Sequence, residues 1–352
     1  MKYSSATYVT PFAAFSRGKY FNVEYFRRVA GIIILFWLAG CTTPQTQHLL
    51  RQNSNNLPPR IELADVSFYP QETHQCGPAS LAMVMNAGGA KVTPQDLIPQ
   101  VYNPGREGSF QVEMLAAARR NNMLAYQLAP RLEDLLGEVA AGSPVLVLQN
   151  LGLSWYPVWH YAVVVGYDLQ HGEIVLRSGR ERRLVMPLST FEHTWKRSGY
   201  WAMLALLPDK MPHTVVESTY MTAAMALERS GSPLGAETAY QSALKRWPLN
   251  LAARIGVGNI AYAMNDYALA ESAYRQATLD HPESSIAFNN LAQVMADQQH
   301  YEEALVAARH AVSLGGNEVA AAQETLKQIM LTAGEFSDSF SIEAADPHSL
   351  NR

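Results

Sequence analysis

The chain has two cysteines in 352 residues, no long basic run, no glycine-rich phosphate loop and no apolar stretch that spans a bilayer comfortably. Each absence removes a class of protein. Two cysteines exclude a disulfide framework. A formal charge of −4 and a pI near 6.2, with no basic stripe to collect phosphates, argue against a nucleic-acid partner. No motif asks for a metal, a nucleotide or an organic cofactor. What remains is 48% hydrophobic and long enough for two ordinary globular domains.

The amino terminus reads as an export address. Lys19, Arg27 and Arg28 precede the short apolar run "VAGIIILFWLAG". Its end, "LAGC", resembles the bacterial lipobox. The resemblance implies a signal peptide over residues 1–40 and acylation of Cys41, which would hold the protein on a lipid membrane through more than one chain. Thr42 is not the Asp that favours inner-membrane retention, so the expected location is the cell envelope, facing the periplasm, with the outer membrane preferred. Residues 41–60, with "RQNSNNLPPR", are too polar to build a core and are expected to form a flexible tether.

Once lipid claims Cys41, Cys76 has no disulfide partner. It sits in "QETHQCGPASLAM", where Pro78 suits a first helical turn and Leu81, Val84 and Met85 recur on one helical face. Cys76 is thus expected at a helix amino terminus, where backbone N–H groups favour the nucleophilic thiolate. A thiol nucleophile needs a base. Among ten histidines His160 stands apart, because "PVLVLQN", an aromatic loop and "HYAVVVGYD" place it at the mouth of a sheet.

"QETHQCGPASLAM" followed by "HYAVVVGYD" resembles the bacteriocin-processing family of papain-like cysteine peptidases, over roughly Ile61 to Leu207. The resemblance implies Cys76 as nucleophile, His160 as general base, and Gln71 with the Cys76 N–H as oxyanion donors; Gln75 is a competing amide. Family members cleave leader peptides after a double glycine, but those are fused to an ATP-driven exporter, so that specificity is not carried over. The family's third residue, usually Asp on the next strand, is replaced by Arg177-Ser178 in "GEIVLRSGRERR". The orienting role falls to Ser178, to a backbone carbonyl, or to nothing. Asp168 is the less favoured candidate, because its offset along the strand separates it from His160 and it reads as a turn residue.

Between these blocks, Thr93, Pro94 and Asp96 read as a helix capping box. The loop Gly105–Gly108 connects to a helix expected to be capped by Ser109, and either selects small residues beside the scissile bond or is an ordinary connection. Trp155, Tyr156 and Trp159 either line a substrate groove or pack in the core; Trp155 and Trp159 are the groove candidates.

Downstream, Pro248 and Pro282 lie 34 residues apart, as do Tyr267 and Tyr301, Tyr240 and Tyr274, and the series Ala236, Ala270, Ala304. That period means tetratricopeptide repeats, in two or three helix pairs that bind a peptide or protein partner. The expected architecture is α+β: a papain-like cysteine peptidase domain over 61–208, helices packed on an antiparallel sheet, then an all-α repeat domain over 213–332 and a loose tail over 333–352. The expected function is a membrane-anchored peptidase acting on a peptide or protein substrate. The rivals are a peptidase-like peptide-binding adaptor and a peptide-directed acyltransferase using the same dyad.

Overall fold

A computed structural model of the chain describes residues 43–51, 57–71 and 75–343, the last nine as backbone only. The expected signal peptide and Cys41 lie outside the described residues. Strands β1 (Arg60–Glu62), β2 (Leu124–Gln127), β3 (Val145–Asn150), β4 (Trp159–Asp168), β5 (Glu173–Ser178), β6 (Glu181–Pro187) and β7 (Ala202–Leu206) form one antiparallel sheet in the order β2-β7-β3-β4-β5-β6. β4 is the longest. β3 pairs with it from Trp159 to Val164, and β1 then takes over beside Gly166–Asp168. Gly166 is required there, because a Cβ would stand 2.5 Å from the Ile61 carbonyl oxygen.

Strand alternation divides the core in two. On one face Leu146, Val163, Val165 and Met203 meet helices α2 (Cys76–Ala87), α3 (Pro94–Val101) and α4 (Gln111–Arg120). On the other, Val145, Val147, Ala162, Val164 and Leu204 meet α5 (Leu132–Ala140) and α6 (Leu188–Lys196). Helix α2 is buried on every side from Gly77 to Met85 rather than on the single face its spacing suggested, because α3, α4 and the sheet enclose it together. The Thr93–Asp96 capping box at the start of α3 forms as expected.

The expected tether needs correction. Within 41–60, Pro44–Arg51 is a helix, α1, docked on the domain. Its exposed amino-terminal N–H groups find the carboxylate of the fully buried Glu192, which accepts from Gln45 N at 3.1 Å and Thr46 N at 2.7 Å, and Leu49 enters the core. A buried carboxylate at a helix amino terminus satisfies both the orphan donors and the helix dipole.

The repeat domain comprises α7 (Glu217–Arg229), α8 (Pro233–Arg246), α9 (Leu251–Ala263), α10 (Tyr267–Asp280), α11 (Ser285–Asp297), α12 (Tyr301–Leu314) and α13 (Val319–Glu343). Helices α7, α9, α11 and α13 begin at 217, 251, 285 and 319, each 34 residues after the last, so α13 opens a further repeat. Small residues let the helices approach: a Cβ on Gly256 would stand 2.4 Å from the Tyr240 ring, and one on Gly258 the same distance from Tyr274. The tail also needs correction, since α13 stays helical to Glu343, and after Gly334 the sequence holds no breaker before Pro347.

The two domains share a core. Tyr220, Ala224 and Leu227 of α7 join the sheet cluster containing Tyr126 and Leu204. The connection is stitched down by Glu138, wholly buried, whose carboxylate accepts from His213 N, Thr214 N and Thr214 Oγ1, while the Tyr126 hydroxyl accepts from Val216 N.

Candidate active site

Helix α2 begins at Cys76, so the thiol lies at its first turn, partly exposed, at the floor of a cleft of about 950 Å³. Gln71, Ser109, Phe110, Trp159 and His160 line the same cleft. His160 is the second residue of β4. Ser178 ends β5, diagonal to His160 in the antiparallel register, and its Oγ lies 2.8 Å from His160 Nε2. The strand therefore brings a hydroxyl to the ring where an acid would be looked for. With Nε2 taken by Ser178, Nδ1 is the nitrogen left for the thiol.

Gln71 is buried, and its backbone N–H donates to Gly179 O at 3.0 Å, tying the segment before the nucleophile to the β5–β6 turn that follows Ser178. One of its side-chain amide hydrogens goes to Ser80 Oγ at 3.1 Å, and Ser80 Oγ in turn donates to the Tyr161 carbonyl at 3.2 Å. The second amide hydrogen is uncommitted among the described residues. Gly179 has φ +59, the left-handed backbone that a tight two-residue hairpin turn demands at its first central position.

Burial dominates the electrostatics. It pushes the Cys76 thiol above its ordinary value, while the backbone N–H groups of Tyr161, Gly77 and Cys76 pull the other way with less effect. Burial also pushes His160 below its ordinary value. The helix-terminus N–H groups do favour the thiolate as expected, but desolvation outweighs them, and burial shifts both side chains toward their neutral forms.

Other expected residues fall elsewhere. Asp168 closes the far end of β4, eight residues or roughly 26 Å from His160. Its carboxylate accepts from Gln170 N and His171 N and pairs with His171 Nδ1 at 3.0 Å, so it is a turn residue. Trp159 lines the cleft; Trp155 stands 81% exposed at the tip of the β3–β4 loop, outside the cleft lining, which removes the core alternative. Ser109 is not a helix cap. Phe110 holds that position without a side-chain bond, and the Ser109 side chain packs against Gly77, where a Cβ would stand 2.3 Å from its Oγ. The loop Gly105–Gly108 does reach the site, because Arg106, Glu107 and Gly108 form one wall of the cleft. Ser80 and the Tyr161 backbone were not anticipated. Ser80 sits one helical turn after Cys76, which is the signal that it shares the nucleophile's side of α2.

These features define a class: a cysteine-peptidase-like α+β domain with antiparallel sheet and buried nucleophile helix, followed by an all-helical repeat domain. Residues 63–203 match the Peptidase_C39 like family, and residues 221–263 and 258–317 match the tetratricopeptide repeat. Comparison with curated proteins finds no match. Among solved structures, a C39-like peptidase from Bacillus anthracis is similar at 20% identity, covering 42% of this chain and 97% of that one, with a TM-score of 0.36. The Yersinia enterocolitica type III secretion chaperone SycD, in complex with a peptide of the translocator YopD, is similar at 18% identity, covering 33% and 93%, with a TM-score of 0.31.

Proposed function

We propose that the protein is a cysteine peptidase, anchored to the envelope membrane through acylated Cys41 and facing the periplasm, whose repeats recruit the peptide or protein it cleaves. The observation that carries the reading is the convergence of Cys76, His160 and Gln71 on one cleft, with Ser178 hydrogen-bonded to His160. With Ser178 Oγ accepting from Nε2–H, His160 Nδ1 takes the thiol proton as sulfur attacks the peptide carbonyl carbon. The oxyanion accepts from the second amide hydrogen of Gln71 and from the Cys76 N–H, each such donor being worth about 3 kcal/mol of barrier. The imidazolium then protonates the leaving amine, and water, deprotonated by the same ring, releases the acyl group from sulfur. A groove of about 1030 Å³ between α10, α11 and α12, with Leu279 and Val306 exposed on its rim and Phe288 within, supports the recruiting role.

The test is a comparison of envelope and secreted peptides from cells carrying the native chain and the Cys76→Ser variant. New peptide termini that vanish with the variant establish hydrolysis and name the substrate; identical peptide sets reject it. A peptide-binding adaptor is favoured by one observation, the neutral Ser178 hydroxyl that meets His160 Nε2 where an acid would be looked for. Alkylation by iodoacetamide separates the two. Under the peptidase reading Cys76 reacts faster with His160 present than in His160→Ala, whereas under the adaptor reading the two rates agree.

A further inference from the structure

The β3–β4 loop is built to hold apolar side chains in water. Within nine residues, Leu151, Leu153, Trp155, Tyr156, Val158 and Trp159 are all between 48% and 81% exposed, and "LGLSWYPVW" contains no charge. This is no slack connection. Leu151 N donates to Val158 O at 2.8 Å, Leu153 and Tyr156 exchange both backbone bonds at 3.0 and 3.1 Å, and Asn150 Oδ1 accepts from Gly152 N and Val158 N. Gly152 has room for nothing larger, since a Cβ would stand 2.4 Å from Tyr156 O. The result is a hairpin with Ser154 and Trp155 at its tip. Exposed apolar patches of this kind mark a contact surface.

The occupant follows from what else the supporting element holds. Arg197, the residue after α6, donates from Nη1 to Gly152 O at 2.6 Å and braces the hairpin. The middle of α6 supplies Glu192, which pins the amino terminus of α1, and Tyr200, just beyond, hydrogen-bonds the Gln45 side chain. Cys41 precedes Pro44 by three residues, a reach of at most about 11 Å. Helix α1 and the hairpin are thus held by neighbouring residues of one element, Glu192 within α6 and Arg197 just after it. Trp and Tyr, each with an apolar body and a polar N–H or O–H, are the residues that settle at a membrane–water interface.

We infer that the Leu151–Trp159 hairpin is a second membrane contact, seating Trp155 and Tyr156 in the interfacial layer of the bilayer that holds Cys41. It rests on the reading of Cys41 as the anchor. The cleft, which Trp159 of the hairpin lines, then lies beside the lipid surface.

The full chain, reconstituted on phosphatidylethanolamine–phosphatidylglycerol vesicles with brominated acyl chains, tests this through tryptophan fluorescence. Trp195 and Trp201 are buried, Trp247 is half-buried beside the repeats and Trp37 leaves with the expected signal peptide, so in the processed chain quenching by bromine should fall by up to about half in Trp155→Phe. In a Cys41→Ser background, vesicle affinity should fall about tenfold further on Trp155→Ser with Tyr156→Ser. Quenching unchanged by Trp155→Phe overturns the proposal, as does a Trp155→Ser variant that raises KM for peptide while vesicle affinity holds, which would make the hairpin a substrate contact. The mass of the amino-terminal peptide decides acylation separately, so an unacylated chain whose Trp155 is still quenched refutes the anchor and retains the hairpin.

Discussion

The cleft around Cys76 and the repeat array use side chains in opposite ways. In the array the apolar packing is repetitive, glycine against tyrosine ring and alanine against alanine, and each 34-residue unit solves the same steric problem again. Around the cleft no contact repeats. Gln71 reaches Ser80, Ser80 reaches the Tyr161 carbonyl 81 residues on, and Ser178 reaches His160, each bond made once. Periodic packing tolerates local loss, because neighbouring units share the load; a chain of single polar contacts does not.

The sharpest break in that comparison is His160→Ala, expected to lower kcat/KM about a thousandfold with the fold intact, measured on the peptides whose termini identify the substrate. In the array, Gly256→Ala drives a methyl group into the Tyr240 ring and should cost about 2 kcal/mol, read as a lower unfolding midpoint in urea. Ser178→Ala removes one neutral hydrogen bond from the imidazole and should cost on the order of tenfold in kcat/KM, well short of His160→Ala. The pH profile should be a broad plateau. Protonating His160 removes the base, and burial places that acid limb below 6.5; deprotonating the thiol removes the proton owed to the leaving amine, and burial places that limb above 9.0. Ser178→Asp should move the acid limb upward, because a carboxylate favours the imidazolium. The smallest effect belongs to Glu192→Gln, which weakens two charge-assisted bonds to α1 by about 1 kcal/mol and should appear as faster amide exchange confined to residues 44–51.

The repeat period and the Cys76, His160 and Ser178 positions were legible because each sits at an element end marked by short-range chemistry: a proline in the first turn, a strand start, a glycine turn. Gln71 was reachable through resemblance, and the structure adds its bonds to Ser80 and Gly179. What escaped depends on distant partners. Nothing within residues 41–60 announces a helix, since α1 is held by a carboxylate some 146 residues on. The sense of the Cys76 shift escaped too, because desolvation is set by everything packed around α2 and not by the helix terminus alone. The exposure of Trp155 escaped for a related reason: an aromatic loop beside a strand reads the same whether it folds inward or stands in solvent.

Glu138 lends the molecule a property that belongs to measuring instruments. The linker is clamped at His213 and Thr214 and α7 is sunk into the sheet's own core, so the connection between cleft and array is braced on both sides. Under the proposed peptidase reading, a polypeptide gripped on the repeats would meet Cys76 over a set contour length. The scissile bond would be chosen by counting residues from the grip, as a gauge block sets a cut, and lengthening or shortening the substrate between the two points should shift the cleavage register residue for residue.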